Sequence, residues 1–505
     1  MNALLCLLTL PTLIAPLIAF GQEPGTIPWT PKDGGDLVQN SISVPSKFSA
    51  LTLSPTLNQV SIPRGWTASV FFAGAALDKG RFMSWGPDSV LFVANMNRGN
   101  ILALPDADGD GIADTSIVAA QGFSTGHDVR FWRDTMFVSQ ESGVVKLWRT
   151  DLSKYVYDQR QIIIDKAVQP NQIGGNHRTR TLVLDTIRMK LFLSVGSRGN
   201  ADRESNRGLI EEYEMDGSGR RVYALGTRNA VGMTLHPRTG KLWANNNGSD
   251  NQGNNVPPEW VDIVRDGGFY GYPFAYHFRR FYPLTGDYSD LIPITQADTA
   301  LIQRMAAPAA LVDAHCAPMS IVFTENGARP EHQYGAFMAM RGSWNRNPPS
   351  GAKIVFLAFD NDQDTIANSV RDFCTGFITD TTNIGSRWAR PVGLAVSAGG
   401  SVFITSDDTK QFILKVTPPR TTDVLDEDRS SFEMYPNPAG EFVECEMLSS
   451  GSTIRVYNGL GKIIDESAVA SDRVRFNTSA WPNGTYIFSS GSMSHPQVRS
   501  IIISR

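Results

Sequence analysis

The sequence predicts an all-β chain: a six-bladed β-propeller followed by a small C-terminal β-sandwich. Three observations carry this. First, units of the form apolar run, short turn, apolar run recur at residues 82–95, 129–148, 181–195, 233–246, 321–339 with 353–359, and 392–416. Within them apolar side chains alternate and are bounded by Gly, Asn and Asp, the pattern of strands rather than helices. Second, the units return at intervals of roughly 45 to 85 residues, with loop insertions in the longer ones, as irregular propeller blades do. Third, after a Pro-led, charged stretch at 419–431 come short strands separated by Gly- and Asn-rich turns, over 432–505. A compact segment of this kind makes a small β-sandwich.

The 505 residues leave room for several domains, and 45 Gly with 29 Pro suit a chain rich in turns. Net charge is −4 with 19% charged residues, so no basic stripe argues for nucleic acid. Residues 1–21 are apolar, uncharged and end in Ala19-Phe20-Gly21, the pattern of a secretory signal peptide. Pro11 and Pro16 and the marginal length argue against a membrane anchor, and no later stretch is apolar for long enough to span a bilayer. The expected organisation is a signal peptide (1–21), an N-terminal extension (22–59), the propeller (60–418), a linker (419–431) and the sandwich (432–505). Cys6 leaves with the signal peptide. Cys316, Cys374 and Cys445 then allow at most one internal disulfide, so the core rather than a disulfide framework holds the fold.

Several short stretches carry candidate chemistry. His177 follows a Gly-rich turn and precedes a strand, which puts an imidazole at a strand edge where it can reach a ligand. Asp106, Asp108, Asp110 and Asp114, with Gly111 among them, follow the order of an oxygen-ligand calcium loop. The glutamate of a helical calcium loop is replaced by Ile117, and the flanks read as strands. The stretch is therefore a hairpin tip, either holding calcium structurally or simply acidic and solvated. Arg228-Asn229, Asn247-Gly248-Ser249, His315, Arg341 to Arg346 and Arg390 fall at strand edges in several of the repeats. Propeller loops converge at the end of the channel, so these residues can share one site. One His with several Arg suits an anionic ligand beside a group that must lose a proton. Gly122-Phe123-Ser124-Thr125-Gly126 fits the string of a hydrolase elbow, but a strand follows where that elbow needs a helix.

The run GNHRTRTLVL, LFLSVGSRGN, ALGTRNAVGM, LWANNNGSD, DGGFYGYPFAY, AHCAPMSIVF, GAFMAMRGSWNR and RPVGLAVSAGGSVFITSDD resembles the sorbosone dehydrogenase-like, pyrroloquinoline quinone (PQQ)-dependent soluble sugar dehydrogenases. The resemblance covers residues 60–418 and implies a six-bladed propeller binding PQQ and calcium at the channel mouth. It implies that His177 is the general base that takes the substrate hydroxyl proton while hydride passes to the quinone. Arg228 and Asn229 match the pair beside the quinone oxygens, and Gly248 and Ser249 fall where main-chain carbonyls hold the metal. Arg390, Arg341 and Arg346 fall where basic residues bind the cofactor carboxylates. The chain departs from the family at Arg341, where His or Lys is usual, and at His127, where an apolar residue is usual. His127, His236, His277 and His332 read as structural.

The C-terminal stretch, from Tyr435-Pro436-Asn437-Pro438-Ala439 to Arg505, resembles the sorting domains of the type IX secretion system. The implied partners are that secretion machinery, a small sugar or alcohol substrate and an external electron acceptor. The implied location is outside the cell or on its surface. Two functions follow: a secreted PQQ-dependent dehydrogenase of sugars or related alcohols and aldehydes, or a non-catalytic surface propeller that binds a glycan or protein.

Overall fold

The computed structural model describes residues 29–49, 51, 58–283, 286–291, 293–324, 330–408, 410–419, 433–446, 453–458, 462–469, 473–490 and 497–504. The expected signal peptide, 1–21, and residues 420–431 of the expected linker lie outside them. The chain divides into two compact units, Met1–Pro419 and Arg420–Arg505. The described residues are mostly β, in keeping with the predicted class.

In the first unit an antiparallel meander repeats. The first sheet pairs Gly80–Trp85, Leu91–Asn95, Asn100–Leu104 and Ile117–Gln121 in chain order. Similar meanders run from Asp128–Trp132 to Gln159–Asp165, from Leu182–Asp185 to Arg221–Leu225, from Met233–Leu235 to Ala310–Val312, and from Pro318–Phe323 to Ser369–Cys374. The last takes Pro391–Val396, Val402–Ser406 and Phe412–Thr417, then borrows a fourth strand from the start of the chain. That strand is Thr67–Ala73, antiparallel to Phe412–Thr417 with Ala73 opposite Phe412.

The first strands of successive sheets touch, 80–85 against 128–132 and onward to 391–396, which returns to 80–85. The ring is closed. Burial explains the patterning: Leu91–Asn95 and Gly335–Met340 are buried at every position, so both faces are packed and the runs are apolar throughout. Gln159–Asp165, at the end of its sheet, is mostly exposed and polar, which protects a free edge.

One α-helix is present among the described residues, Gln296–Gln303. Sequence reading missed it, since eight residues give too little periodicity to recognise. A capping box forms it locally: Thr295 accepts from the Asp298 N–H, and the Asp298 carboxylate accepts from the Thr295 N–H. No helix of the described residues is long and apolar enough to cross a membrane. Cys316, Cys374 and Cys445 are free and buried, so the one internal disulfide that the sequence allows is not formed among them.

In the second unit one sheet holds Glu433–Tyr435, Phe442–Glu446 and Arg473–Asn477. The other holds Ile463–Ala468, Thr453–Tyr457, Gly484–Ser490 and Gln497–Ile503. Val443, Cys445, Ile454, Val456, Phe476 and Phe488 form a core of their own.

Candidate functional site

An antiparallel meander places the turns between second and third strands at the same end as the connections between sheets. At that end a cavity of about 260 Å³ opens, and side chains from around the ring reach it. Lys79 and Arg81 come from the joint into the first sheet, Asn229 from the joint between the third and fourth. Arg341 and Asp407 follow second strands of the fifth and sixth sheets.

The charges there are unequal. Asp407 is buried, and both its oxygens accept from Arg341 Nε at 2.8 and 2.9 Å while Oδ2 accepts from Arg81 at 2.6 Å. Three cations, Lys79, Arg81 and Arg341, thus face one carboxylate. Burial works against the Asp407 charge, but the two guanidinium groups win and hold its carboxyl below the usual range. Arg81 Nε also donates to His127 Nδ1 at 3.1 Å, and burial with that neighbouring charge pushes the His127 pKa far down. His127 is fully buried and neutral, a brace for Arg81.

His177 lies at the rim, between Asn176 and Thr179, which both line the cavity. Its loop is pinned from below. Arg180 donates to the His177 carbonyl at 3.1 Å, and Arg207 donates to the carbonyls of Gly174 and Gly196 at 2.9 and 2.8 Å. Gly196 has to be glycine: a Cβ there would stand 2.6 Å from His177 Cβ and 2.8 Å from Asn229 Oδ1. That close approach seats the imidazole beside Asn229.

The tautomer follows from the hydrogen bonds. His177 Nδ1 lies 3.0 Å from the Ser197 carbonyl and 2.9 Å from Ser197 Oγ. The carbonyl only accepts, and the Ser197 hydroxyl proton is given to the Gly199 carbonyl at 2.8 Å. Nδ1 therefore carries the hydrogen and Nε2 keeps a lone pair. Burial first, and then the Arg228 charge, lower the His177 pKa to about 3, so the ring is neutral at physiological pH.

Arg228 is close to His177 but is spent on the protein. Its five N–H donors go to the Asn200 carbonyl and Oδ1, the Asn247 and Gly248 carbonyls and Asp250 Oδ2, at 2.5 to 3.3 Å. It clamps the 247–250 loop, and its charge acts on His177. Gly248 and Ser249, the expected metal-holding residues, lie in this loop. The Gly248 carbonyl accepts from Arg228 at 2.5 Å. Ser249 is fully buried, its hydroxyl held by Tyr288.

The other expected residues divide. Arg341 lines the cavity. Arg390 donates to the Gly342 carbonyl at 2.7 Å, and burial beside Arg341 lowers its pKa to about 9. Arg346 is half-buried and fastens the 254–255 stretch to Pro348, and it does not line the cavity. His315 is buried and bonded to the Gly253 carbonyl at 2.9 Å.

The acidic loop sits on its own hairpin, between Asn100–Leu104 and Ile117–Gln121. Ligand oxygens of Asp106, Asp108 and Asp110 lie within 4.8 Å of one another. Asp106 Oδ1 is buried and has no hydrogen-bond partner, while Asp114 is taken by the Ala107 N–H at 2.7 Å. A larger cavity, about 690 Å³, is built on the turns 86–90 and 397–401 toward the opposite end. Trp66, Trp85, Phe323 and Phe337 dominate its walls, and the guanidinium cluster and His177 lie elsewhere.

Sequence reasoning missed Lys79, Arg81 and Asp407. Asp407 lies in a quoted motif, but nothing marked it as the partner of two arginines from other sheets. Lys79 and Arg81 lie in no motif.

Comparison with known proteins adds family and destination. Residues 433–504 match the secretion system C-terminal sorting domain, so the chain is addressed for type IX secretion and the cell surface. A PQQ-dependent pyranose dehydrogenase of Coprinopsis cinerea is 25% identical over 419 residues, 71% of this chain and 54% of that protein. The chain therefore spans about half the length of that curated relative. Two solved structures are similar in fold. One, of a Trichoderma reesei carbohydrate-active enzyme of family AA12, has TM-score 0.60 and 21% identity, covering 72% of this chain and 99% of that one. The other, the PQQ domain of the Coprinopsis cinerea pyranose dehydrogenase, has TM-score 0.57 and 22% identity, covering 71% and 97%. Residues 60–417 match the TrAA12-like family over most of the chain, and to that family the chain belongs.

Proposed function

We propose that the chain is a secreted quinoprotein that oxidises a sugar or related alcohol or aldehyde, with PQQ held in the cationic cavity. In this reading the six closed sheets are the blades of a propeller over residues 60–418, 419–431 is a linker, and 432–505 is a β-sandwich. The observation that carries it is the excess of positive charge, Lys79, Arg81 and Arg341 against Asp407, beside a neutral imidazole. A polycarboxylate fits that excess, and guanidinium groups suit carboxylates in particular. The pyranose dehydrogenase relative, named for PQQ, points the same way.

When bound, PQQ supplies the hydride-accepting quinone. The chain supplies position, charge and a proton acceptor. His177 Nε2 takes the substrate hydroxyl proton, with Ser197 fixing the ring through Nδ1. Arg341 and Arg390 hold carboxylates, and Asn229 offers its amide beside the imidazole. Arg228 holds the 247–250 loop and keeps His177 unprotonated. Arg346 serves the loop rather than the cofactor. Calcium belongs at Asp106, Asp108 and Asp110, where an orphaned buried oxygen and two neighbouring carboxylates fit an oxygen-seeking cation. Its role there is structural.

The alternative, a non-catalytic surface propeller that binds a glycan or protein, draws on the complete engagement of Arg228 with the protein. Reconstitution separates the two. Purified protein with PQQ, with and without calcium, is offered a panel of aldoses and an artificial electron acceptor. The dehydrogenase reading expects saturable PQQ uptake and acceptor reduction with at least one sugar; no uptake at any calcium level leaves the binding module.

A further inference from the structure

Lys79 stands at the joint between Thr67–Ala73 and Gly80–Trp85, where the closing sheet hands the chain to the first. Its backbone adopts φ 61°, a left-handed conformation that a residue with a Cβ adopts rarely and under strain. Neighbours hold it there. The Lys79 N–H donates to Gln411 Oε1 at 2.7 Å, and its carbonyl accepts from the Met96 N–H at 3.1 Å. The preceding N–H, of Asp78, donates to buried Asn95 at 2.7 Å.

The strained backbone delivers a half-buried ammonium to the cavity wall. No hydrogen bond or ion pair forms to Lys79 Nζ among the described residues. The one carboxylate of the wall, Asp407, is taken by Arg81 and Arg341. Burial and the Arg81 charge lower the Lys79 pKa and outweigh the opposing pull of Asp407 and Asp78. A salt-bridging lysine normally has its partner in the fold. This one has its backbone held by hydrogen bonds and its ammonium without a bonded partner among the described residues.

We propose that Lys79 is a carboxylate-binding residue of the central cavity, held to take an acidic group of the bound quinone. The assignment deepens the cofactor reading above and rests on it for the identity of the ligand.

The test combines amine acylation with cofactor binding. Wild-type protein is pulsed with an acetylating ester across a pH series, and modification at each lysine is read by peptide mass spectrometry. Exposed Lys154 serves as the internal standard. Lys79 is expected to acylate in the free protein, and PQQ is expected to protect Lys79 and leave Lys154 unprotected. Direct titration then compares Lys79→Met with Lys79→Arg. Both replacements keep a Cβ on the same left-handed backbone, so that strain is common to both and only Arg retains a cation. Lys79→Met weakens PQQ binding about tenfold or more, the scale of a lost hydrogen bond to a charged group, while Lys79→Arg retains most of it.

If wild type binds PQQ, yet Lys79 stays unprotected and Lys79→Met binds equally well, the assignment is overturned while the cofactor reading stands. If wild type binds no PQQ, the cofactor reading falls and citrate decides Lys79. Protection by citrate upholds a carboxylate-binding lysine, and acylation unchanged by citrate overturns it.

Discussion

At the scale of residues, His177 shows how a neighbour's charge and burial settle a chemical state. A folded-state pKa of about 3 against the ordinary 6.5 means that the folded protein resists protonating this ring. Its contribution to stability is therefore fully present above pH 6.5 and is lost as pH falls from there toward 3, by up to ~1.4 kcal/mol per pH unit. The same depression keeps Nε2 available as a proton acceptor at neutral pH. His177→Asn is expected to leave PQQ affinity within a few fold but to lower turnover by ~10²–10⁴-fold, the usual contribution of a positioned base. Unchanged turnover in that variant removes His177 from the mechanism. His177, Asn229 and Arg341 were legible because each sits in a stretch whose Gly or Asn neighbours announce a strand edge. Arg81 and Asp407 were not, because their meaning is a pairing across hundreds of residues, and Lys79 was not, because it lies in no motif. Arg228 was visible as a residue near the site, but only coordinates show that all five of its donors are already used.

Among elements, the loop that follows Leu242–Asn246 depends on Glu259. This side chain is buried at 2% exposure and accepts from the Gly248 N–H. Burial pushes its pKa up to about 8, so it is largely protonated at neutral pH. A raised carboxyl pKa contributes stability that is complete below 4.5 and is lost as pH rises toward 8, again up to ~1.4 kcal/mol per pH unit. Glu259→Gln keeps the shape without the titration. Denaturation at pH 5 and pH 8 is expected to show the wild type losing stability relative to the variant at the higher pH. Equal loss in both proteins would mean that Glu259 is not the buried acid. The strands themselves were largely legible, since alternation and turn residues are local signals. The helix Gln296–Gln303 was hidden by its shortness, and the acidic hairpin tip was legible as a loop because its carboxylates stand between two apolar runs.

Over the whole molecule, closure and division decide what can be removed. Thr67–Ala73 completes the last sheet and buries Val70, Phe71 and Phe72 at 5% exposure or less. Burying such side chains is worth ~1.5–3 kcal/mol each, and together they approach the ~5–15 kcal/mol net stability of a typical domain. A chain beginning after Ala73 is therefore expected not to fold. The C-terminal unit has a separate core, so a chain ending at Pro419 is expected to keep its melting temperature within a few degrees while losing surface attachment. Cell fractionation and calorimetry of the two truncations check both statements, and collapse of the shorter chain without its C-terminal unit would contradict the second. Strand repetition made the ring legible from sequence. What borrows what, and where the ring shuts, was not, because the closing pair joins residues more than three hundred positions apart.

The central claim is that a cationic cavity beside a neutral imidazole makes this chain a quinone-dependent sugar oxidant. Its most direct test is a single turnover without any external acceptor. Protein loaded with PQQ is mixed with the best aldose of the panel, and the quinone absorbance is followed. The account predicts stoichiometric loss of oxidised quinone, slowed at least ~100-fold by His177→Asn. PQQ that is never taken up, or that stays oxidised before every sugar, contradicts it.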